Sequence, residues 1–379
     1  MFSFADILIL IIIAISLFSL YALLIIYCLQ NWKKIPLFQF ETPAAGIIRI
    51  SVIIPARNEE NNIGSLLAAL EQQSYDPELF ETIVIDDHSS DRTTEIVQEY
   101  PRVRLLRLQK DQINSYKKEA IAMGIQAAKN ELIVTTDADC LPGKYWLETI
   151  AAFKQSTNAV FIAAPVVLQN GHSWLEIFQA LDFLTLQGIT GAVVYNDSLS
   201  MSNGANLAYE KIAFTETGGF EGIDGIASGD DMLLMGKIKK KFPGKTFYLK
   251  SEKAIVATSP MNNWKSFINQ RIRWASKARY YDDKKIFFIL LLVFLFNLFF
   301  LLLCCMGFYH YSYWILLAAL WVAKTAIEYP FVSAVAEFFN KRKLMRYLFL
   351  FQPFHILYMV TAGLLGQVGT YEWKGRNVK

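Results

Sequence analysis

The chain has 379 residues, room for two or three folded units at roughly 150 residues each. Only 19% of the residues are charged while 54% are hydrophobic and 14% aromatic, with a mean hydropathy of +0.28; this excludes a disordered chain and argues against a purely soluble protein. Four cysteines, none in a CxxC pair, support neither a structural zinc site nor a disulfide framework. The net charge of +3 hides a belt from Lys237 to Lys285 with 14 Lys or Arg against 3 Asp or Glu. Such a belt suits the phosphates of anionic lipids or of a substrate, or is simply a solvated basic surface.

In chain order, Ile7 to Leu29 comes first: 23 residues without a charge, enough at 1.5 Å per residue for a bilayer core of about 30 Å. No Lys or Arg precedes this run and no small-residue cleavage site follows it, so residues 1–34 read as an uncleaved anchor. Lys33 and Lys34 place its end in the cytoplasm. No comparable apolar run is expected before Lys285, and residues 35–261 are expected to form a cytoplasmic domain.

From Arg49 the pattern changes to short β runs alternating with helical stretches. Strands are expected at Ile50–Ile54, Thr82–Ile85, Val103–Leu106 and Leu132–Thr136, with helices at Asn62–Gln73, Glu95–Tyr100 and Lys117–Lys129. This alternation predicts an α/β domain with a mainly parallel sheet. Polar clusters follow three of the strands: Arg57 to Glu60, Asp86-Asp87, and Asp137 with Asp139. Ligands of open α/β sheets bind at the carboxyl ends of strands, so the three clusters define one candidate site. GxGxxG and GxxxxGK[ST] are both absent. Hard carboxylates without clustered His or Cys favour Mg²⁺ or Mn²⁺, with substrate phosphates completing the shell.

Asn262 to Tyr281 reads as an amphipathic interfacial helix, its apolar Trp264, Phe267, Ile268 and Ile272 interleaved with Lys265, Arg271, Arg273 and Lys277. It forms a segment 262–285, and residues 286–379 follow as membrane helices and a basic tail. Ile286–Met306 is a second span and Tyr313–Val335 a third, the latter with Lys324 and Glu328 four residues apart. Either charge alone in lipid costs about 3 kcal/mol, so a mutual pair or a polar pocket is expected. Tyr347–Val368 is open between a crossing and a re-entrant hairpin, because basic residues flank both ends and Pro353 and several glycines interrupt it.

Seven segments in order resemble the successive motifs of family 2 glycosyltransferases: VIIPARNEE (Val52–Glu60), IDDHSSDRT (Ile85–Thr93), TTDADC (Thr135–Cys140), SNGANLAY (Ser202–Tyr209), GGF (Gly218–Phe220), SGDDML (Ser228–Leu233) and QRIRW (Gln270–Trp274). The resemblance covers Ile50 to Trp274, with apolar runs on both sides as in the family's lipid-directed members. WKGR at Trp373–Arg376 also resembles the tail of the ceramide- and carotenoid-type enzymes. A GT-A fold is implied, with inverting transfer of a sugar from a nucleotide-sugar, often a UDP-sugar.

Carried over by position, the resemblance implies that Pro55, Arg57 and Glu59 border the nucleotide, that Asp87 receives the base's N–H, and that Lys118 is the lysine ahead of DxD. Asp137 then lies near ribose and metal, Asp139 ligates Mg²⁺ or Mn²⁺, and Asp231 is the base, with Asp230 its rival. Asn203, Gly204, Asn206, Gln270, Arg273 and Trp274 serve the acceptor and the diphosphate. Two positions depart from the family's pattern: His88 stands where a glycine is usual, and Asp230-Asp231 stands for Glu-Asp. The expected partners are a nucleotide-sugar, a membrane lipid acceptor and the bilayer of the cell membrane, with no nucleic acid. The competing functions are a processive polysaccharide synthase, against which the modest set of spans argues, and a catalytically silent membrane scaffold, against which the intact acidic motifs argue.

Overall fold

The computed structural model describes residues 4–40, 48–110, 114–169, 171, 173–226, 229–277, 283–367, 371–373 and 376–378. The elements in chain order are α1 (Phe4–Lys34), β1 (Ile50–Ala56), α2 (Ile63–Glu71), β2 (Phe80–Asp86), α3 (Thr93–Gln98), β3 (Val103–Arg107), α4 (Tyr116–Ala127) and β4 (Leu132–Thr135). They continue with β5 (Cys140–Pro142), α5 (Trp146–Thr157), β6 (Phe161–Ala163), β7 (Val166–Leu168), α6 (Trp174–Tyr195), β8 (Leu207–Glu210), α7 (Lys211–Glu216), α8 (Met232–Lys241), β9 (Thr246–Tyr248) and β10 (Val256–Thr258). Helices α9 (Trp264–Ser276), α10 (Lys284–Gly307), α11 (Ser312–Phe338) and α12 (Leu348–Leu365) precede a terminal hairpin of β11 (Tyr371–Trp373) and β12 (Arg376–Val378). Two compact units result. One comprises Ile35–Gln169, Val193–Pro260 and Thr370–Lys379, the other Met1–Lys34, Asn170–Ala192 and Met261–Gly369.

The first unit is the expected α/β domain, a GT-A-type mixed sheet in the order β3-β2-β1-β4-β8-β6-β9. β1, β2, β3 and β4 are mutually parallel, and β8 runs antiparallel to β4 and β6. β1 is an unbroken apolar run apart from Ser51, as a strand covered on both faces requires. The chain moves outward from β1 to β2 and β3, then returns to place β4 on the other side of β1. That reversal opens a crevice at the carboxyl ends of β1 and β4. Helix α4 comes close because residue 124 is glycine: a Cβ there would stand 2.6 Å from Ile53 Cγ2 and 2.7 Å from Ile85 Cδ1.

The second unit is helical. Within it, Leu8–Lys34, Trp174–Tyr195, Lys284–Gly307, Ser312–Phe338 and Arg342–Leu365 are long and apolar enough to cross a membrane. The second of these was not expected, because Glu176, Gln179, Asp182 and Gln187 interrupt its apolar pattern. Unlike α1, it is buried around most of its circumference, so its apolar surface serves a protein core. Residues 173–192 thus belong to the helical unit, although the segments flanking them in sequence belong to the α/β unit. Gly188 lets α11 approach, since a Cβ would lie 2.3 Å from Val335 Cγ2.

Lys324 and Glu328 form the mutual pair, with Lys324 Nζ 2.6 Å from Glu328 Oε1 and 2.6 Å from Gln352 Oε1. Tyr21 donates its hydroxyl to Glu328, and so does the Gln352 amide. α1, α11 and α12 are thereby stapled together. Residues 348–365 are one continuous helix containing Pro353, so no hairpin forms there.

Candidate active site

In the α/β unit, the loops after β1 and β2 are laced into one rim. Arg57 Nη1 donates to the Asp87 and His88 carbonyls at 2.7 and 3.2 Å. The Asn58 N–H reaches Ser89 Oγ at 3.0 Å, and the Ser90 N–H reaches Asn58 Oδ1 at 2.8 Å. Glu60 and Arg92 donate their N–H groups to Asp91 and Glu60 carboxylates at 3.0 and 3.1 Å. His88 adopts the left-handed region, φ 54°. A glycine would enter it freely, so the departure at this position leaves a glycine-like turn carrying a side chain. Asp87 is buried, with His88 Nδ1 at 3.0 Å and Arg57 Nη1 at 3.8 Å from Oδ1. Glu59 accepts from Asn62 Nδ2 at 2.7 Å, and Pro55 lies within β1.

Lys117 stands at the meeting point of the acidic motifs. Its Nζ lies 2.6 Å from Asp137 Oδ1 and 3.3 Å from Asp230 Oδ2. Burial pulls this ammonium down, but Asp137 and Asp230 outweigh it and hold the group above the ordinary lysine range. Asp231 caps α8, accepting from the Met232 N–H at 2.7 Å, and also accepts from the Gly204 N–H at 3.2 Å. A Cβ on Gly204 would stand 3.0 Å from Asp230 Oδ2 and 3.2 Å from Lys117 Nζ. SNGANLAY, SGDDML and TTDADC therefore converge on one point. Ser228, which opens SGDDML, lies outside the described residues.

Asp139 accepts from Thr258 Oγ1 at 3.4 Å and from the Cys140 thiol at 3.7 Å. Burial, then Asp137 and Asp139, push that thiol up and leave it inert. Among the described residues no group of three His, Cys, Asp or Glu could hold a metal. Asp137 and Asp139, both partly exposed, make a two-carboxylate oxygen set. It fits Mg²⁺ or Mn²⁺ with phosphate oxygens completing the shell.

Two of the expected residues point elsewhere. Lys118 is buried and donates to the Ile223 and Ile226 carbonyls at 2.7 and 2.5 Å, holding that loop. Asn206 is fully buried; it accepts from Trp146 Nε1 at 2.9 Å and donates to the Pro165 and Ala254 carbonyls at 2.8 Å each. Asn203 Oδ1 accepts from the Ala205 N–H at 3.0 Å and shapes the turn before Gly204. Lys117 is the residue that sequence reasoning passed over. It lies two helical turns before Gly124, whose approach to Ile53 and Ile85 on the sheet is visible only in the fold.

Gln270, Arg273 and Trp274 lie on α9 in the helical unit. Arg271 and Lys277, expected among the basic residues of an amphipathic interfacial helix, are buried. The reason for Arg271 is an ion pair with Asp182. Residues 278–281 lie outside the described residues.

Residues 51–214 match the glycosyl transferase family 2 profile, and the chain carries a domain of that family. Glycosyltransferase AglE of Haloferax volcanii is 35% identical over 103 residues, 26% of this chain and 33% of AglE. The 4,4'-diaponeurosporenoate glycosyltransferase of Staphylococcus haemolyticus is 30% identical over 187 residues, 48% of either chain. The match thus spans half or less of these relatives' lengths. Mannosyltransferase PcManGT from Pyrobaculum calidifontis, solved in complex with GDP-Man and Mn²⁺, shares the fold. Its TM-score is 0.57 at 17% identity, covering 95% of this chain and 97% of that one.

Proposed function

We propose that this protein is an inverting glycosyltransferase that moves a hexose from a nucleotide-sugar, a UDP-sugar foremost, to a membrane lipid at the cytoplasmic face of the cell membrane. The observation that carries the reading is the convergence of DxD, SGDDML and SNGANLAY on Lys117 at the crevice end of the sheet. Five apolar helices among the described residues support membrane association. A relative named for diaponeurosporenoate, a carotenoid acid, supports an apolar acceptor.

In this reading the laced rim of Arg57, Glu59 and Asp87 receives the nucleotide, and Asp137 lies at the ribose. Asp231 takes the proton of the acceptor hydroxyl, its carboxylate oriented by the Gly204 and Met232 N–H groups. The freed oxygen attacks the anomeric carbon opposite the leaving group; the bond from that carbon to the phosphate oxygen breaks, and its electron pair leaves with the nucleoside diphosphate. Gln270, Arg273 and Trp274 serve the acceptor and that diphosphate. Held by Asp139 and Asp137, Mg²⁺ or Mn²⁺ would supply positive charge against the developing anion.

The test offers membranes containing the protein radiolabelled UDP-glucose, UDP-galactose, UDP-N-acetylglucosamine and GDP-mannose. One donor is expected to label a discrete organic-extractable lipid, with loss in EDTA and recovery with Mg²⁺ or Mn²⁺. Label in a water-soluble polymer would replace the reading with polysaccharide synthesis, and no turnover of any donor would leave a scaffold. For the orientation, Gln155→Cys, at an exposed position of α5, in a background free of other reactive cysteines, should resist an impermeant thiol reagent in intact cells. Rapid labelling would put the α/β unit outside.

A further inference from the structure

Within QRIRW, Arg271 is a position that the motif leaves unspecified, yet it is the most tightly held side chain of the five. Only 4% exposed, it donates through Nε and Nη2 to Asp182 Oδ2 at 3.2 and 2.8 Å. Its Nη1 donates to Gln270 Oε1 at 2.8 Å. The guanidinium also lies 4.2 Å from the Trp274 ring centroid and 4.6 Å from that of Phe267. Asp182, on α6, is equally buried, and its other oxygen accepts the Tyr358 hydroxyl of α12. A carboxylate inside an apolar helix persists only when paired in this way.

A guanidinium has donors and no acceptor, so Gln270 must turn its carbonyl toward Arg271. Its NH₂ is then committed to face away from the guanidinium, a donor suited to a phosphate or hydroxyl oxygen. The guanidinium also lies over the Trp274 indole, 4.2 Å from its centroid, and limits how that ring can turn. We propose that Arg271, anchored by Asp182, is a positioning residue that fixes Gln270 and Trp274 for transfer; this rests on the reading above, in which those two serve the acceptor and the diphosphate.

Arg271→Lys keeps the charge and loses the fork. With the radiolabelled donor that the wild type accepts among the four named above, kcat for lipid labelling should fall roughly tenfold to a hundredfold. Donor KM should stay within about twofold, because the nucleotide rim is untouched. The double variant Asp182→Arg/Arg271→Asp restores the ion pair while removing the guanidinium from α9. Its thermal midpoint should return toward wild type while kcat stays low. If kcat recovers together with the midpoint, or if Arg271→Lys turns over normally, the pair only clamps helices and the proposal is wrong. Gln270→Ala and Trp274→Ala separate the two layers. If both lower kcat while Arg271→Lys does not, positioning alone fails. If neither lowers it, the role given to the motif fails and the positioning fails with it.

Discussion

Each unit of the molecule surrounds a lysine with carboxylates or amides, and the two settings differ in what they leave open. In the helical unit Lys324 is 0% exposed and Glu328 8% exposed, and Gln352 and Tyr21 close the network on itself. In the α/β unit Lys117 is 22% exposed between Asp137 at 34% and Asp230 at 11%. A closed network holds helices together and has nothing to offer a ligand. A half-open one can exchange a partner for a phosphate or a hydroxyl without burying an unpaired charge. The same ion-pair chemistry thus gives a staple in one unit and a candidate catalytic centre in the other.

The largest effect that would sharpen this contrast is on the open side. Asp231→Asn should lower transfer by roughly 10²–10⁴-fold with little change in donor KM, as removal of a general base does. Asp230→Asn should act more mildly, through Lys117. If rates and donor titrations show the reverse order, the two aspartates exchange roles.

On the closed side the expected loss is in stability. Lys324→Ala leaves Glu328 buried without its cation and should cost about 3–5 kcal/mol of unfolding free energy in detergent. Lys324→Met/Glu328→Leu removes both charges and should recover more than half of that. Equal losses in the single and double variants would mean that the pair is not closed to an outside partner, and the contrast between the lysines would collapse.

Lys117 and Lys118 carry the comparison onto a single helix. Lys117→Gln removes a charge-assisted contact to two carboxylates and should slow transfer roughly tenfold to a hundredfold, about 1.5–3 kcal/mol. Lys118→Gln should leave kcat of the folded enzyme near wild type. It should lower the thermal midpoint instead, because two loop carbonyls lose their donor. Measuring kcat and midpoint on both variants assigns each lysine to chemistry or to scaffold.

That these neighbours could not be told apart beforehand shows where sequence legibility ended. β1, β2 and β4 with their trailing carboxylates were readable, because strands covered on both faces are apolar runs and the crevice lies where such runs stop. Adjacent helix residues differ by about 100° in direction, and two lysines side by side offer no polarity difference to set the phase. Asn206 matched a motif, yet its amide is spent on Trp146 and two carbonyls of the core. Helix α6 escaped because Asp182 and its polar neighbours broke the apolar pattern. Arg271 looked like a surface charge for the same reason, since its partner lies 89 positions away.

Gly204→Ala is the smallest intervention and probes the open centre from the backbone side. No positive φ is required at Gly204, so alanine is not strained there by conformation. The added methyl would meet Asp230 Oδ2 at 3.0 Å and Lys117 Nζ at 3.2 Å, the ends of two movable side chains. Those ends can give by a few tenths of an ångström, so the fold should lose no more than about 1 kcal/mol. The displaced ion pair is also the feature that joins Asp137 to Asp230, and a shift there passes directly to the carboxylates. Transfer should therefore slow by about threefold to tenfold while the thermal midpoint barely moves. A full rate at an unchanged midpoint would mean that the Lys117 bridge tolerates rearrangement, and the glycine would then be there for packing alone.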